Sequence, residues 1–328
     1  MTSPRVLLTG VVSRTHLLYA ASWLREQQRA GRPVHKVAVR APRPFLGELR
    51  VTTDECLQVL SEAVAAPVRM ERAAEWTTNG GGPSTLLCIG APALRQVFQA
   101  VRSERRVPHV VVVDEGLGSY GDRTTRAAAY RRNGDSPLWS RVRATAVALG
   151  RDRLAHEQWA TYVRTAGRWH VNAAVADEFR RRVAGGPPEP GTAVLLTQPW
   201  PALGAMSESA YRSHVEEVAR QCADAGLDLV IRPHPADSVD RYRGLRLMAH
   251  DLPAELDRGV IEADVVLGAS STALLNLAAF YGTRCARVRP SELSAMDEQL
   301  GADQAAILDT FLPPPLAPAD LVGRDWFS

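Results

Sequence analysis

Val110-Val111-Val112-Val113 runs directly into Asp114-Glu115-Gly116. A strand that is apolar at every position, rather than at alternate ones, must be covered on both faces, as happens in parallel sheets packed between helices. The rest of the chain repeats the arrangement. Apolar, β-branched runs alternate with amphipathic stretches from end to end, which predicts an α/β fold. In the first half the expected strands are Arg5–Val12, His35–Ala41, Pro67–Glu71, Thr85–Gly90 and His109–Asp114, with helices near Thr15–Arg29, Thr53–Ala65 and Ala93–Arg105. A helix-rich stretch, about Thr124–Tyr162, follows.

Gly185-Gly186-Pro187-Pro188-Glu189-Pro190-Gly191 is too rich in glycine and proline for helix or strand and reads as a linker. Periodicity then restarts. Ala193–Gln198, Asp228–Arg232, Leu245–His250, Ala263–Gly268 and Cys285–Arg289 are expected strands, and Glu208–Ala225, Pro253–Gly259 and Thr272–Tyr281 expected helices. At roughly 100–200 residues per domain, a chain of 328 is too long for one small module. The expected division is a first domain over 1–184, a linker over 185–191 and a second domain over 192–312. Two such domains face a central cleft with the carboxyl ends of both sheets, where α/β proteins bind ligands. The tail 313–328, with Pro313-Pro314-Pro315 and Trp326-Phe327, either crosses back to the first domain or frays.

Composition excludes several functions. No apolar run approaches the ~18 residues of a membrane span, so a transmembrane enzyme is ruled out. Cys56, Cys88, Cys222 and Cys285 have no C-x-x-C spacing and no histidine cluster, so no metal is expected. The 39 basic and 36 acidic side chains leave a net charge of +3, and Lys36 is the single lysine. Arginine spread over every helix reads as a codon habit, with no basic stripe and no nucleic-acid partner. The opening residues lack a charged segment, apolar core and cleavage site, which predicts a cytoplasmic chain with reduced thiols. Attachment at the inner membrane face stays open.

Four places carry chemistry. Asp114 and Glu115 leave the sheet at its carboxyl end, with Gly116 permitting the sharp turn. A partly desolvated carboxylate there is either a general base or a cap of the next segment. His234 follows Leu229-Val230-Ile231-Arg232 and lies between Pro233 and Pro235, on a backbone that both prolines restrict. Rigid placement suits a proton donor or phosphate ligand as well as a structural histidine. The strand Ala263–Gly268 ends in Ala269-Ser270-Ser271-Thr272 at a helix start, which is a phosphate seat or an ordinary N-cap. No Walker or G-x-G-x-x-G fingerprint accompanies it. Pro253 places Glu255 in a first helical turn, open to a ribose or base or simply favourable to the helix dipole.

In this order Asp114-Glu115-Gly116, His234-Pro235 and Ser270-Ser271-Thr272 resemble the bacterial sialyltransferases and α-2,8-polysialyltransferases, whose motifs are an acidic pair with glycine, His-Pro, and Ser-Ser or Ser-Thr. The opening Val12-Ser13-Arg14-Thr15-His16 and the later Leu195-Leu196-Thr197-Gln198-Pro199 are similar to the strand openings of that group. The resemblance spans Val6 to about Ala279. It implies the GT-B type, two Rossmann-like domains, and an inverting transfer from CMP-sialic acid or a related CMP-nonulosonate with no cofactor or metal. By that resemblance Asp114 is the base and His234 assists CMP departure. Ser270, Ser271 and Thr272 bind the phosphate, Glu255 the cytidine, and Arg232 and Pro235 flank the donor. Glu115, Gly116, Arg14, His16 and Gln198 support donor or acceptor contacts. The implied partners are a nucleotide-sugar donor and a glycan or small-molecule acceptor. A UDP-sugar transferase or 2-epimerase on the same fold, and a non-catalytic nucleotide- or glycan-binding protein, are the alternatives.

Overall fold

The computed structural model describes residues 5–42, 44, 50–71, 84–92, 94–105, 107–132, 134–248, 252–290, 293 and 299–321. The chain forms two compact units, Met1–Tyr130 with Asp135–Glu178 and Arg131–Gly134 with Phe179–Ser328. In the first, β1 (Arg5–Thr9), β2 (Lys36–Val39), β3 (Val68–Met70), β4 (Ser84–Ile89), β5 (His109–Val113) and β6 (Glu157–Trp159) form one sheet in the order β3-β2-β1-β4-β5-β6. Every pairing in it is parallel. All six residues of β4 and Val110–Val113 of β5 are buried, as strands covered on both faces must be.

The helices of this unit are α1 (Arg14–Arg29), α2 (Thr53–Ser61), α3 (Leu94–Glu104), α4 (Arg123–Arg132), α5 (Pro137–Leu154) and α6 (Ala173–Arg180), the last crossing into the second unit. Their starts are written locally. Ser13 caps α1, Thr52 and Glu55 form a capping box on α2, and Ser136 with Pro137 opens α5. The expected helix-rich stretch ends early. After Leu154 the chain pairs β6 alongside β5, then turns through β7 (Tyr162–Thr165) and β8 (Arg168–Val171), an antiparallel hairpin joined at Ala166-Gly167. β6 is a polar edge strand, Glu-Gln-Trp, placed by pairing with Val111–Val113 and invisible to hydrophobic periodicity.

The second unit holds β9 (Thr192–Leu196), β10 (Asp228–Arg232), β11 (Arg246–Leu247), β12 (Val265–Gly268) and β13 (Cys285–Arg287) in the order β11-β10-β9-β12-β13, again parallel throughout. Around it lie α7 (Glu208–Asp224), α8 (Arg258–Ile261), α9 (Thr272–Tyr281) and α10 (Ala302–Phe311). Leu195, Tyr211, Val218, Ile231, Val265 and Ala286 meet in its core. In each sheet the chain begins in the middle, builds to one side and then crosses to the other. The reversals lie between β1 and β4 and between β9 and β12, where diverging loops leave room for a ligand.

The division lies ahead of the Gly185–Gly191 segment. Phe179 packs on Phe280, Arg180 donates to the Phe280 carbonyl, and Ala184 bridges to Asp257, so these residues belong to the second unit. The tail to Leu321 also stays with it. Leu316 bridges Val288, and Leu321 is buried in the core of the unit, so the expected crossing back does not occur over 313–321. Trp326 and Phe327 lie outside the described residues, as do His250, the end of an expected strand whose paired part is Arg246–Leu247, and Asp251.

Candidate active site

Asp114 is the first residue beyond β5 and is 3% exposed. Its Oδ2 accepts the Tyr120 hydroxyl and the Thr161 N–H, the latter at 2.7 Å. Tyr120 is fixed in turn by the Tyr162 N–H at 2.7 Å and by edge-on contacts with Tyr162 and Trp169 from the hairpin. Burial pushes the Asp114 carboxyl up to about 6, although Tyr120, Thr161 and the charge of Arg151 pull the other way. Burial, and then the Asp114 charge, hold the Tyr120 phenol well above its ordinary value, so it remains a donor.

The backbone around Asp114 is braced from two sides. Gly116 has φ 109° and ψ −158°, a region that side chains exclude, and this turn lets the Ser119 hydroxyl receive the Glu115 N–H at 2.9 Å. Arg126 and Arg151 both donate to the Ser119 carbonyl, at 3.0 and 2.6 Å, and Arg126 lies 3.9 Å from the Glu115 carboxylate. A Cβ at Gly90, beyond β4, would collide with that carboxylate. His16 of α1 accepts the Val12 N–H on Nδ1 at 3.3 Å and bonds the Glu115 carbonyl. Burial drives its pKa down to about 4, so a neutral ring ties the β1 loop to the β5 exit. Arg14 is engaged by Glu55 at 3.2 Å.

In the second unit, Thr197 follows β9 and its hydroxyl accepts the His234 N–H at 2.8 Å. The Ala236 N–H donates to His234 Nδ1 at 3.1 Å, which assigns the proton of the neutral ring to Nε2. His234 itself is half-buried and Pro235 exposed. Below the histidine, the fully buried side chain of Asp237 pairs with Arg241 and accepts the hydroxyls of Tyr242 and, at 3.3 Å, Thr197. Ser270, Ser271 and Thr272 stand half-buried where α9 begins. Ser271 is its N-cap, accepting the Leu274 N–H at 3.1 Å. Because β9 lies between β10 and β12, Thr197 sits between the strand exits that carry His234 and the serines.

No family model and no curated protein sequence matches the chain. Solved structures do. A putative UDP-N-acetylglucosamine 2-epimerase from Listeria monocytogenes superposes with a TM-score of 0.52 at 10% identity, over 100% of this chain and 90% of that one. The GT-B domain of a Photobacterium damselae sialyltransferase gives 0.50 at 11% identity, over 96% and 99%. A Photobacterium sp. 2,6-sialyltransferase, solved with CMP and lactose, gives 0.51 at 11% identity, over 96% and 78%.

The chain has the GT-B fold.

Within each half of this GT-B chain, part of the expected constellation assembles and part does not. The first unit gathers Asp114, Glu115, Gly116 and His16 at neighbouring strand exits, and the second gathers His234 and Ser270–Thr272. Arg232 departs from the expected donor contact: it is 4% exposed, pairs with Asp257 and donates to the Leu252 carbonyl. Glu255 departs too. Residues 254–256 form a short 3-10 turn and α8 starts only at Arg258, with Asp257 as its cap, in place of one helix over Pro253–Gly259. Glu255 is thereby buried, its Oε1 accepting the Asn276 amide at 3.0 Å, and burial raises its pKa against the pull of Asn276 and Arg232. Gln198 accepts the Trp200 indole N–H at 2.8 Å, so its side chain supports the loop after β9.

Tyr120, Thr161, Thr197 and Asp237 brace the candidate residues and were not among the expected ones. Thr197 carried a usable signal, being the first polar residue after a central strand that opens a new sheet. Asp237 follows the His-Pro pair closely in sequence. Tyr120 and Thr161 gave none, because Thr161 reaches Asp114 only through the β6 pairing that periodicity did not reveal.

Proposed function

We propose that this chain is an inverting glycosyltransferase that moves sialic acid or a related nonulosonic acid from its CMP ester to an acceptor hydroxyl. The observation that carries the reading is Asp114, a desolvated strand-end carboxylate whose two hydrogen bonds both fall on Oδ2 and whose pKa lies near 6. Such a group is ionised at neutral pH yet basic enough to take a hydroxyl proton as the oxygen attacks. The acceptor oxygen bonds to the anomeric carbon while the bond from that carbon to the CMP phosphate breaks, and CMP leaves with the electron pair. His234, its ring proton on Nε2, donates to the departing phosphate. The helix dipole at the start of α9, with the hydroxyls of Ser270, Ser271 and Thr272, favours the same anion. Stabilising the leaving phosphate matters most when the sugar develops oxocarbenium character. No metal-binding cluster occurs among the described residues, and none of these steps is routed through one. The motif order Asp-Glu-Gly, His-Pro, Ser-Ser-Thr supports CMP over other nucleotides.

Incubation with CMP-sialic acid and a panel of glycan and small-molecule acceptors, following CMP release and product mass, tests the reading. The expected result is an acceptor mass raised by one sialyl unit, together with thermal stabilisation by CMP. Stabilisation by UDP with none by CMP replaces it with a UDP-sugar transferase or 2-epimerase. Tight CMP binding with no transfer or hydrolysis replaces it with a binding protein.

A further inference from the structure

α5 presents its side chains in an inverted order. Its buried positions are the small residues Ser140, Ala144 and Gly150. Four of its six large apolar residues, Leu138, Trp139, Val142 and Leu149, face outward, with Leu138 75% and Trp139 59% exposed, while Val147 and Leu154 are half-buried. At 100° per residue the outward four span about 100° of the helix circumference, turned away from Ser140 and Ala144. An ordinary surface helix does the reverse. α3 continues the surface. Leu94, Phe98 and Val101, at i, i+4 and i+7, are exposed, Phe98 to 72%. The two helices are neighbours, since a Cβ on Gly150 would lie 3.9 Å from Leu94 Cδ2.

The charge around this apolar face is mainly positive, exposed Asp152 being the acid that α5 adds to it. Exposed Arg95, Arg102, Arg141 and Arg153 border it, and none has a carboxylate partner among the described residues. Residues 123–154 contain eight arginines and only two acids, Asp135 and Asp152, in a chain whose total charge is +3. Arginine is denser in this segment than over the chain as a whole. An isologous contact between two copies would oppose arginine to arginine. An exposed face of Leu, Val, Phe and Trp edged by arginine fits instead the boundary between lipid headgroups and acyl chains, where the guanidinium groups reach phosphates.

We propose that the first unit docks on an anionic phospholipid surface through the outer faces of α3 and α5. No helix is long and apolar enough to cross a membrane, so the contact is peripheral. The proposal stands apart from the transfer reaction and does not rest on it.

Co-sedimentation of the full chain with phosphatidylcholine vesicles, with and without phosphatidylglycerol, is the test. Binding is expected to the anionic vesicles, weakening as salt rises. The double variant L138Q/W139Q, or F98Q, should lose most of it with the thermal melt unchanged, because these side chains are exposed. Arg141→Gln and Arg153→Gln should each weaken partitioning about fivefold. Absence of vesicle binding, or binding that all these variants leave intact, overturns the proposal. So does a concentration-dependent dimer abolished by L138Q/W139Q without vesicle binding, which would make the face an interface between copies.

Discussion

Each unit buries an aspartate near the carboxyl end of its sheet, and the two are treated differently. Asp237 is sealed with a charge of opposite sign, Arg241, and with the hydroxyls of Tyr242 and Thr197. Asp114 is sealed with a phenol and one main-chain N–H, and the arginine that influences it, Arg151, spends its hydrogen bonds on Ser119 and Gln158. A buried carboxylate paired with a guanidinium is held as a fixed support. One given only neutral donors is left poised to bind a proton. The polar groups around His234 and the start of α9 are half-buried instead, as suits residues that must receive a charged ligand from water.

The largest effect expected is that of Asp114→Asn, which should lower transfer by about 10²–10⁴-fold while raising stability. The folded pKa, about 6, exceeds the ordinary 3.8, so the folded chain binds more protons between those values and stability falls as pH rises through them. Above pH 6 the cost is complete, about 3 kcal/mol at most, and the asparagine variant escapes it. Urea melts at pH 8 should show the gain and melts below pH 4 should not. Wild-type transfer should fall by half near pH 6 as the base protonates. An Asp114→Asn protein with full activity, or with no gain at pH 8, removes the distinction between the two aspartates.

The same change in the other unit should have the opposite sign. Asp237→Asn leaves Arg241 without its buried partner, and breaking such a pair costs about 3 kcal/mol. Glu208 still holds the outer edge of Arg241, at 2.5 Å, which keeps the loss at the lower end. A stabilised Asp237→Asn protein at pH 7 would show that both aspartates are merely buried acids.

Thr197→Val comes next. It removes the acceptor of the His234 N–H and the donor to Asp237, a loss of about 2 kcal/mol where the group is buried. As a positioning residue, Thr197 should affect kcat more than the donor KM, and Thr197→Ser should restore both. Equal loss in the serine variant would assign the threonine to packing alone.

What the residues disclosed in advance divides along the same line. Strand and helix positions were legible wherever apolar periodicity and a cap coincided: Asp228–Arg232 and Thr272–Tyr281 occur as expected. So were the strand exits, which located Asp114, His234 and Ser271. Partners from distant segments were not legible. Thr161 reaches Asp114 only because a polar edge strand pairs with β5, and Arg232 faces Asp257 only once residues 254–256 form a 3-10 turn. A composition averaged over the chain also conceals where arginine is denser, as over residues 123–154.

The smallest effect tests whether the start of α9 is a ligand seat or only a capped helix. Ser271→Ala removes the acceptor of the Leu274 N–H and should cost about 1 kcal/mol, whichever reading holds. Ser271→Asp separates them. Aspartate caps as well as serine and improves the interaction with the helix dipole, so the melt should stay within about 0.5 kcal/mol of wild type. Its negative charge, however, occupies the place proposed for the donor phosphate. Titration calorimetry with CMP should show binding weakened at least tenfold in Ser271→Asp and less in Ser271→Ala. If CMP binds all three proteins alike, Ser271 is a cap and nothing more, and the phosphate must be received by His234 or Thr272 instead.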